Sequence, residues 1–331
     1  MTEEPCCGVK LTGEPAGPAS VTNASCCDTH GAVGGTPHLE LGKTGLSANA
    51  FLIRRAEVLK RLPRNPYGVN FTEIGRARGI AVGRAPTPAL NRVFGADLSD
   101  PDIVARFNEW FATNHAVPPY QVLGSGDRSA SAPEGFTRLP GWEHVIQEKD
   151  NLEDNGVPPT PSEPVEIQEI GKDDTETFTR IYAEAFDYPA AIAQPLCRSA
   201  ELLIGEPDVL SYVATISGEP VSVGQLFLSA HGAAFLGSTG TLPAARGAGC
   251  QAFLDRRRIA DAKKAGYGLL CRTVAFKSQS WRNALKVGFR PVFREDIYAP
   301  SELVDLPKAA DSQAAAHGGG CCSTELAAAG R

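Results

Sequence analysis

The chemistry of this chain is most legible at Thr241-Leu242-Pro243-Ala244-Ala245-Arg246-Gly247-Ala248-Gly249, where a strand pattern gives way to a helix pattern. Glycine lets backbone N–H groups approach a ligand closely, and a following helix adds unsatisfied donors and a positive dipole end. A loop of this build suits a phosphate or pyrophosphate. The same residues also read as a tight, closely packed turn, because short Gly-rich strand-to-helix turns are common.

The cysteines form a second reactive set. Of nine, six stand as adjacent pairs, Cys6-Cys7, Cys26-Cys27 and Cys321-Cys322, with His30 and His317 nearby. Thiolates are soft ligands for Cu(I), Zn(II) or a trivalent metalloid. The six are therefore candidate ligands for a soft metal or metalloid ion, should two tails meet around it. A C-x-x-C zinc framework is absent, and the pairs read equally as redox-sensitive or incidental thiols. Cys197, Cys250 and Cys271 fall in patterned sequence and read as buried small hydrophobes. Together with an acidic start that lacks a secretory pattern, this favours a reducing, cytoplasmic setting over a disulfide framework.

The elements that hold the loop follow from periodicity. Val165–Ile170 reads as a strand. A helix after Asp173-Asp174 places Phe178, Ile181, Tyr182, Ala185 and Phe186 on one face. Ala193–Leu203 is a second helix. Ser211–Ile216 and Val221–Leu228 are strands joined by Ser217-Gly218-Glu219-Pro220, a hairpin signal. Ala233–Ser238 precedes the Gly-rich turn, and a long helix runs from about Gly249 to Ala265, closed by Gly266. Gly268–Ala275, Gln279–Val287 and Pro291–Ile297 are then strand, helix and strand. Arg256-Arg257-Arg258 and Lys263-Lys264 make the long helix basic, read as a solvated face balanced by Asp255 and Asp261 or as an attractor of phosphates.

Ser280–Arg290 reads S-W-R-N-A-L-K-V-G-F-R, a helix that stops at Gly288 and leads through Phe289 into a strand. With Pro243, Arg246, Gly247 and Gly249, this resembles the GNAT (Gcn5-related) N-acetyltransferase family, whose Pro-x-x-Arg-Gly-x-Gly loop binds the acetyl-CoA pyrophosphate. The resemblance covers about 165–300 and implies an α/β (α+β) GNAT acyl-CoA N-acyltransferase fold, a mixed central sheet with flanking helices. It implies acetyl-CoA as co-substrate, held by Thr239, Thr241, Ala245, Arg246, Gly247, Ala248, Gly249, Cys250 and Ser280. The pyrophosphate should lie against the amides of Ala245 to Cys250, with the acyl arm between strands 233–239 and 269–275 splayed apart. The acceptor is the amine of a small or amino-acid-like molecule that attacks directly. The chain departs from the family twice. Ala244 replaces a Gln or Arg of the loop, and Ala284 stands where a tyrosine often protonates the leaving thiolate. Cys271, Ser278, Ser280 and His231 are substitutes, and no catalytic residue is assigned. The alternative is a thiol-based metal-binding or sensing protein whose GNAT domain binds acyl-CoA without efficient turnover.

Residues 46–150 read as a second, degenerate copy, making two in tandem. Asn91–Gly95 is the strand before its loop, Asp100–Asn114 a helix with Ile103, Phe107 and Trp110 in phase, and Tyr120–Leu123 the next strand. Gly135-Phe136-Thr137-Arg138 imitates the Gly-Phe exit before a closing strand, Glu143–Gln147. The loop Ala96-Asp97-Leu98-Ser99-Asp100-Pro101 carries two acids and no glycine, which would repel a pyrophosphate. An unrelated α/β domain is the other reading. Residues 1–45 and 301–331 read as flexible tails, and the Pro-rich stretch 151–164 as a linker.

The whole composition fits these assignments. A net charge of −6 and a pI near 5.6 argue against general nucleic-acid binding. No apolar run is long enough to span a membrane. The chain reads as a monomer or homodimer.

Overall fold

The computed structural model describes residues 37–85, 89–124, 131–148, 164–186 and 190–303. The first half contributes α1 (Pro37–Lys60), β1 (Val69–Ile74), β2 (Ala77–Val82), β3 (Arg92–Phe94), α2 (Pro101–Thr113), β4 (Tyr120–Leu123) and β5 (Phe136–Glu148). The second half contributes β6 (Val165–Ile170), α3 (Thr175–Phe186), α4 (Ala190–Leu202), β7 (Val209–Ile216), β8 (Glu219–Leu228) and β9 (Ala234–Thr241). It ends with α5 (Cys250–Lys264), β10 (Leu269–Val274), α6 (Gln279–Lys286) and β11 (Arg290–Pro300).

The two halves repeat one pattern. In each, three consecutive antiparallel strands, β1–β3 and β7–β9, are followed by a helix and a strand that returns parallel to the third, and β6 adds a fourth antiparallel strand to the second half. The parallel contact is short in both: Val93 and Phe94 pair with Tyr120 and Gln121, while Leu270 and Cys271 pair with Ala234 and Phe235. Beyond those pairs the strands diverge. The β7–β8 turn has Ser217 and Gly218 both at positive φ, the twist that suits a two-residue hairpin.

The eleven strands of the described residues join in one sheet, ordered β1-β2-β3-β4-β11-β5-β10-β9-β8-β7-β6. The final strands are exchanged. β5, from the first half, pairs with β10 of the second, and β11, from the second half, pairs with β4 of the first. Between them β5 and β11 run antiparallel with two register shifts. At one of these Gly141 is required, because a Cβ there would overlap the Glu295 carbonyl oxygen.

Helices cover both faces. On one, α1, α3 and α4 bury Ala56, Leu59, Phe178, Ile181 and Leu196 against Ile80, Val82, Val213 and Val223. On the other, α5 and α6 pack Leu254, Ile259 and Ala284 against Leu226, Leu236 and Leu270. There α2 packs Phe107 and Phe111 on Ala77, Ala81 and Tyr120.

Several expectations change. Residues 37–45, expected as the end of a flexible tail, are the first turns of α1, with Thr44 and Ser47 buried. Hydroxyls in the inward face hide this helix from an apolar pattern. Phe186, expected on the apolar face of α3, is 39% exposed, whereas Phe178, Ile181, Tyr182 and Ala185 are buried. The Gly-Phe exit and the closing strand of the first half are one strand, β5. Residues 239–241, expected in the turn, extend β9. The linker 151–164, apart from Pro164, and residues 304–331 lie outside the described residues, as do all six paired cysteines.

Candidate active site

The three arginines at the middle of α5 go three ways, as a helix of 3.6 residues per turn requires. Arg256 lines a cleft, Arg257 is bonded to Asp261 at 2.7 Å, and Arg258 is fully buried. The expectation of one solvated basic face is thus corrected. Arg258 reaches across the sheet, donating to Asp255, to the carbonyls of Gln225 and Gly237, and to Thr239 Oγ1 at 2.8 Å. Burial lowers its guanidinium from the ordinary value, opposed by the adjacent Asp255 carboxylate. Gly224 accommodates it, since a Cβ there would stand 2.9 Å from its Nη1. Asp255 also holds Arg272 at 2.9 Å, and Arg272 Nη2 donates to Ser280 Oγ. A buried charged network therefore links α5, β9, β10 and α6 around the point where β9 and β10 part.

At that point β9 bulges. Val223 pairs with Gly240 and Gln225 with Gly237, so Ser238 and Thr239 together face Gly224. Ser238 sits at φ +44°, and its buried hydroxyl has no hydrogen-bond partner among the described residues. Such strain at a bulge marks a place where backbone polarity is re-aimed. Thr241 lies at the strand end, its hydroxyl 2.7 Å from that of Ser222.

The loop that follows opens with a 3-10 turn, Pro243–Ala245. The amides of Ala245, Arg246 and Ala248 are spent inside this turn, on Leu242, Pro243 and Ala245 carbonyls. Gly247 and Gly249 have φ of +91° and +86°, which L side chains resist. Gly249 caps α5 with no side chain to satisfy its first amides. Among the described residues, the N–H groups of Gly247, Gly249 and Gln251 have no acceptor. Of the expected Ala245-to-Cys250 span, the amides of Ala245, Arg246 and Ala248 are thus engaged within the turn, and Gln251 lies one residue beyond it. Arg246 does not point into the cradle: its guanidinium donates to the Ala185 carbonyl at the end of α3, 2.8 Å away.

The first half lacks such a cradle. Asp100 caps α2 with its own carboxylate, accepting from the amides of Asp102 and Ile103, and Pro101 removes another donor. The anion-binding end of α2 is filled from within.

One cleft of about 1240 Å³ runs from the α5 cradle through the β9–β10 gap to the α1 face. Thr239, Thr241, Ala245, Arg246, Gly247, Gly249, Cys250 and Ser280 line it; Ala248 packs beneath, against the α5 core. Of the thiolate-acid substitutes, Cys271 is fully buried and burial pushes its thiol far up. Ser278 caps α6, accepting from the Trp281 amide. Ser280 accepts from Arg272 and Gln251. His231 is exposed at the β8–β9 turn. None of these is assembled as an acid. Ala284, at the family's tyrosine position, is buried in the α6 core.

The inner end of the cleft was missed by sequence reasoning. Asn49, Gln121, Trp142 and Glu295 line it. The one available signal was Arg294-Glu295-Asp296, three successive charged residues inside a strand, where apolar alternation is the norm. No group of three metal-ligating side chains occurs among the described residues, and no described helix is long and apolar enough to cross a membrane.

No family model and no curated protein matches this chain. Solved structures do. A GCN5-related N-acetyltransferase from Kribbella flavida is 17% identical, with 77% of this chain and 95% of that one covered and a TM-score of 0.53. A conserved protein of unknown function from Staphylococcus epidermidis is 14% identical, with 73% and 97% covered and a TM-score of 0.53.

Proposed function

We propose, from the GCN5-related N-acetyltransferase fold of this chain, that it transfers an acetyl group from acetyl-CoA to the amine of a small, amino-acid-like molecule. The observation that carries this reading is the uncapped start of α5. Gly247, Gly249 and Gln251, whose amides have no acceptor among the described residues, line a cleft that continues between two parted strands.

The residues present fit acetyl-CoA. Gly247 has open space where a Cβ would be, so a pyrophosphate can reach the amides. Arg256, Arg272 and Lys286 line the same cleft and favour phosphate charge. The gap between β9 and β10 admits the pantetheine arm. The Ser238 bulge lies beside the gap and supplies a re-aimed backbone group for the thioester carbonyl, the electrostatic aid that acyl transfer needs. The acceptor enters from the α1 face, its nitrogen attacks the carbonyl, and the thiolate departs. Positioning and charge stabilisation supply most of the acceleration in this scheme.

Release of free thiol from acetyl-CoA, followed with a thiol-reactive dye across a panel of primary amines, tests this. Amine-dependent release supports the reading; none with any amine opposes it. Ala284 and the absence of an assembled acid among the described residues favour a second outcome, acetyl-CoA binding with slow turnover. A soft metal ion at the paired cysteines stays a separate proposal.

A further inference from the structure

The inner end of the cleft carries a feature that cofactor binding does not use. Glu295 is the only carboxylate among the described residues lining the cleft, whose other charged residues are arginines and one lysine. It is 5% exposed. Its Oε1 accepts from Gln121 Nε2 at 2.7 Å, and Gln121 is held in turn by Asn49 of α1 at 3.1 Å. His144 Nε2 is also 2.7 Å from Oε1, though its ring is not aimed for a hydrogen bond. The His144 ring is fixed by stacking on Phe293, 4.1 Å between centroids. The nearest cation to Oε2 is Arg92 Nη1, at 4.0 Å, beyond hydrogen-bond reach. Oε2 therefore accepts no hydrogen bond within the described residues.

Oε2 is thus paired with the buried Arg92 only at ion-pair distance, and as part of the cleft lining it keeps its hydrogen-bonding capacity for a ligand there. Trp142 stands directly opposite Glu295 across β5 and β11, on the same face, and lines the same end of the cleft. An indole beside a carboxylate attracts an ammonium from two sides. Phe51 and Phe235 add apolar wall.

The geometry points to Glu295 and Trp142 as the seat of the acceptor's ammonium group, with Glu295 as the base that takes its proton. The acceptor is a primary amine carrying an apolar or aromatic group. This rests on the acetyltransferase reading. The ammonium gives one proton to Oε2, and the neutral nitrogen forms the C–N bond as the C–S bond breaks. A second proton passes from that nitrogen to the departing thiolate, directly or through water. The products are the amide and free thiol, and Glu295 returns its proton to water. The seat is built from β11 and the first half of the chain, which gives the degenerate copy a purpose: it supplies the acceptor side.

The test is calorimetric titration of 2-phenylethylamine, and separately of acetyl-CoA, into the full chain and its Glu295→Gln variant. The amine should bind the parent and bind E295Q about 10–100-fold more weakly, the range for losing a charge-assisted contact. Acetyl-CoA affinity should stay within about twofold, because the cradle is untouched. Absence of amine binding to the parent, or equal affinity in both, overturns the inference. Loss of acetyl-CoA binding by the parent would instead sink the acetyltransferase reading and leave the amine titration to judge the seat. If E295Q does not fold, Trp142→Leu decides: about fivefold or greater weakening of the amine supports the seat, and none refutes it.

Discussion

Cys271 of β10 lies in register with Ile146 of β5, a strand from the first half of the chain, while β11 is carried to the far side of β5. The second half therefore borrows its closing strand from the first, and lends its own in return. A cut between residues 150 and 160, with each fragment expressed alone, should leave both without a central strand. Neither should show cooperative melting, whereas co-expression should give one complex eluting at the size of the whole chain. A second-half fragment that folds alone as a monomer would contradict this pairing.

Asp255 stands between two buried guanidiniums, those of Arg258 and Arg272. Replacing it with Asn removes one partner of a buried charge network and leaves two cations uncompensated. The expected loss is about 3–5 kcal/mol of unfolding free energy in urea. Arg272 would also lose the hold that aims it at Ser280. A change under about 0.5 kcal/mol, the level of a surface substitution, would show that the network is not buried in solution.

Cys250 opens α5 at the cradle, and burial raises its thiol from the ordinary value. Since the thiolate is the reactive form, a raised value leaves less of it at any given pH and moves labelling to higher pH. Peptide mapping after iodoacetamide at about pH 8 should find Cys250 and Cys271 unmodified in the native chain and modified in urea. Rapid native labelling of Cys250 would mean that the cradle opens more than its packing indicates.

Much of the second half is legible in sequence because its helices and strands have clean periods. Phe178, Ile181 and Tyr182 announce α3, and Gly247, Gly249 and Gly288 mark the ends of elements at positive φ. The first half is less legible for physical reasons. Thr44, Ser47 and Arg55 are buried in α1, so its inner face does not read as apolar. Strand exchange between β5 and β11 is set by tertiary pairing, which no local pattern records. The inner end of the cleft draws Asn49, Gln121, Trp142 and Glu295 from four elements, and only the topology brings them together. The loop motif placed the Gly-rich turn ahead of α5; which amides lack acceptors among the described residues depends on the turn at Pro243.

Acetyl-CoA binding at the start of α5 is tested most directly by calorimetric titration. The parent chain should bind with one site. Gly247→Val and Gly249→Val force side chains into the left-handed region at a cost of about 1–2 kcal/mol and displace the free amides, so affinity should fall about tenfold or more. Gly247→Val should leave the rest of the fold intact, since no atom lies within 4 Å of the added Cβ position. No heat of binding in the parent, or undiminished affinity in both variants, would contradict the assignment.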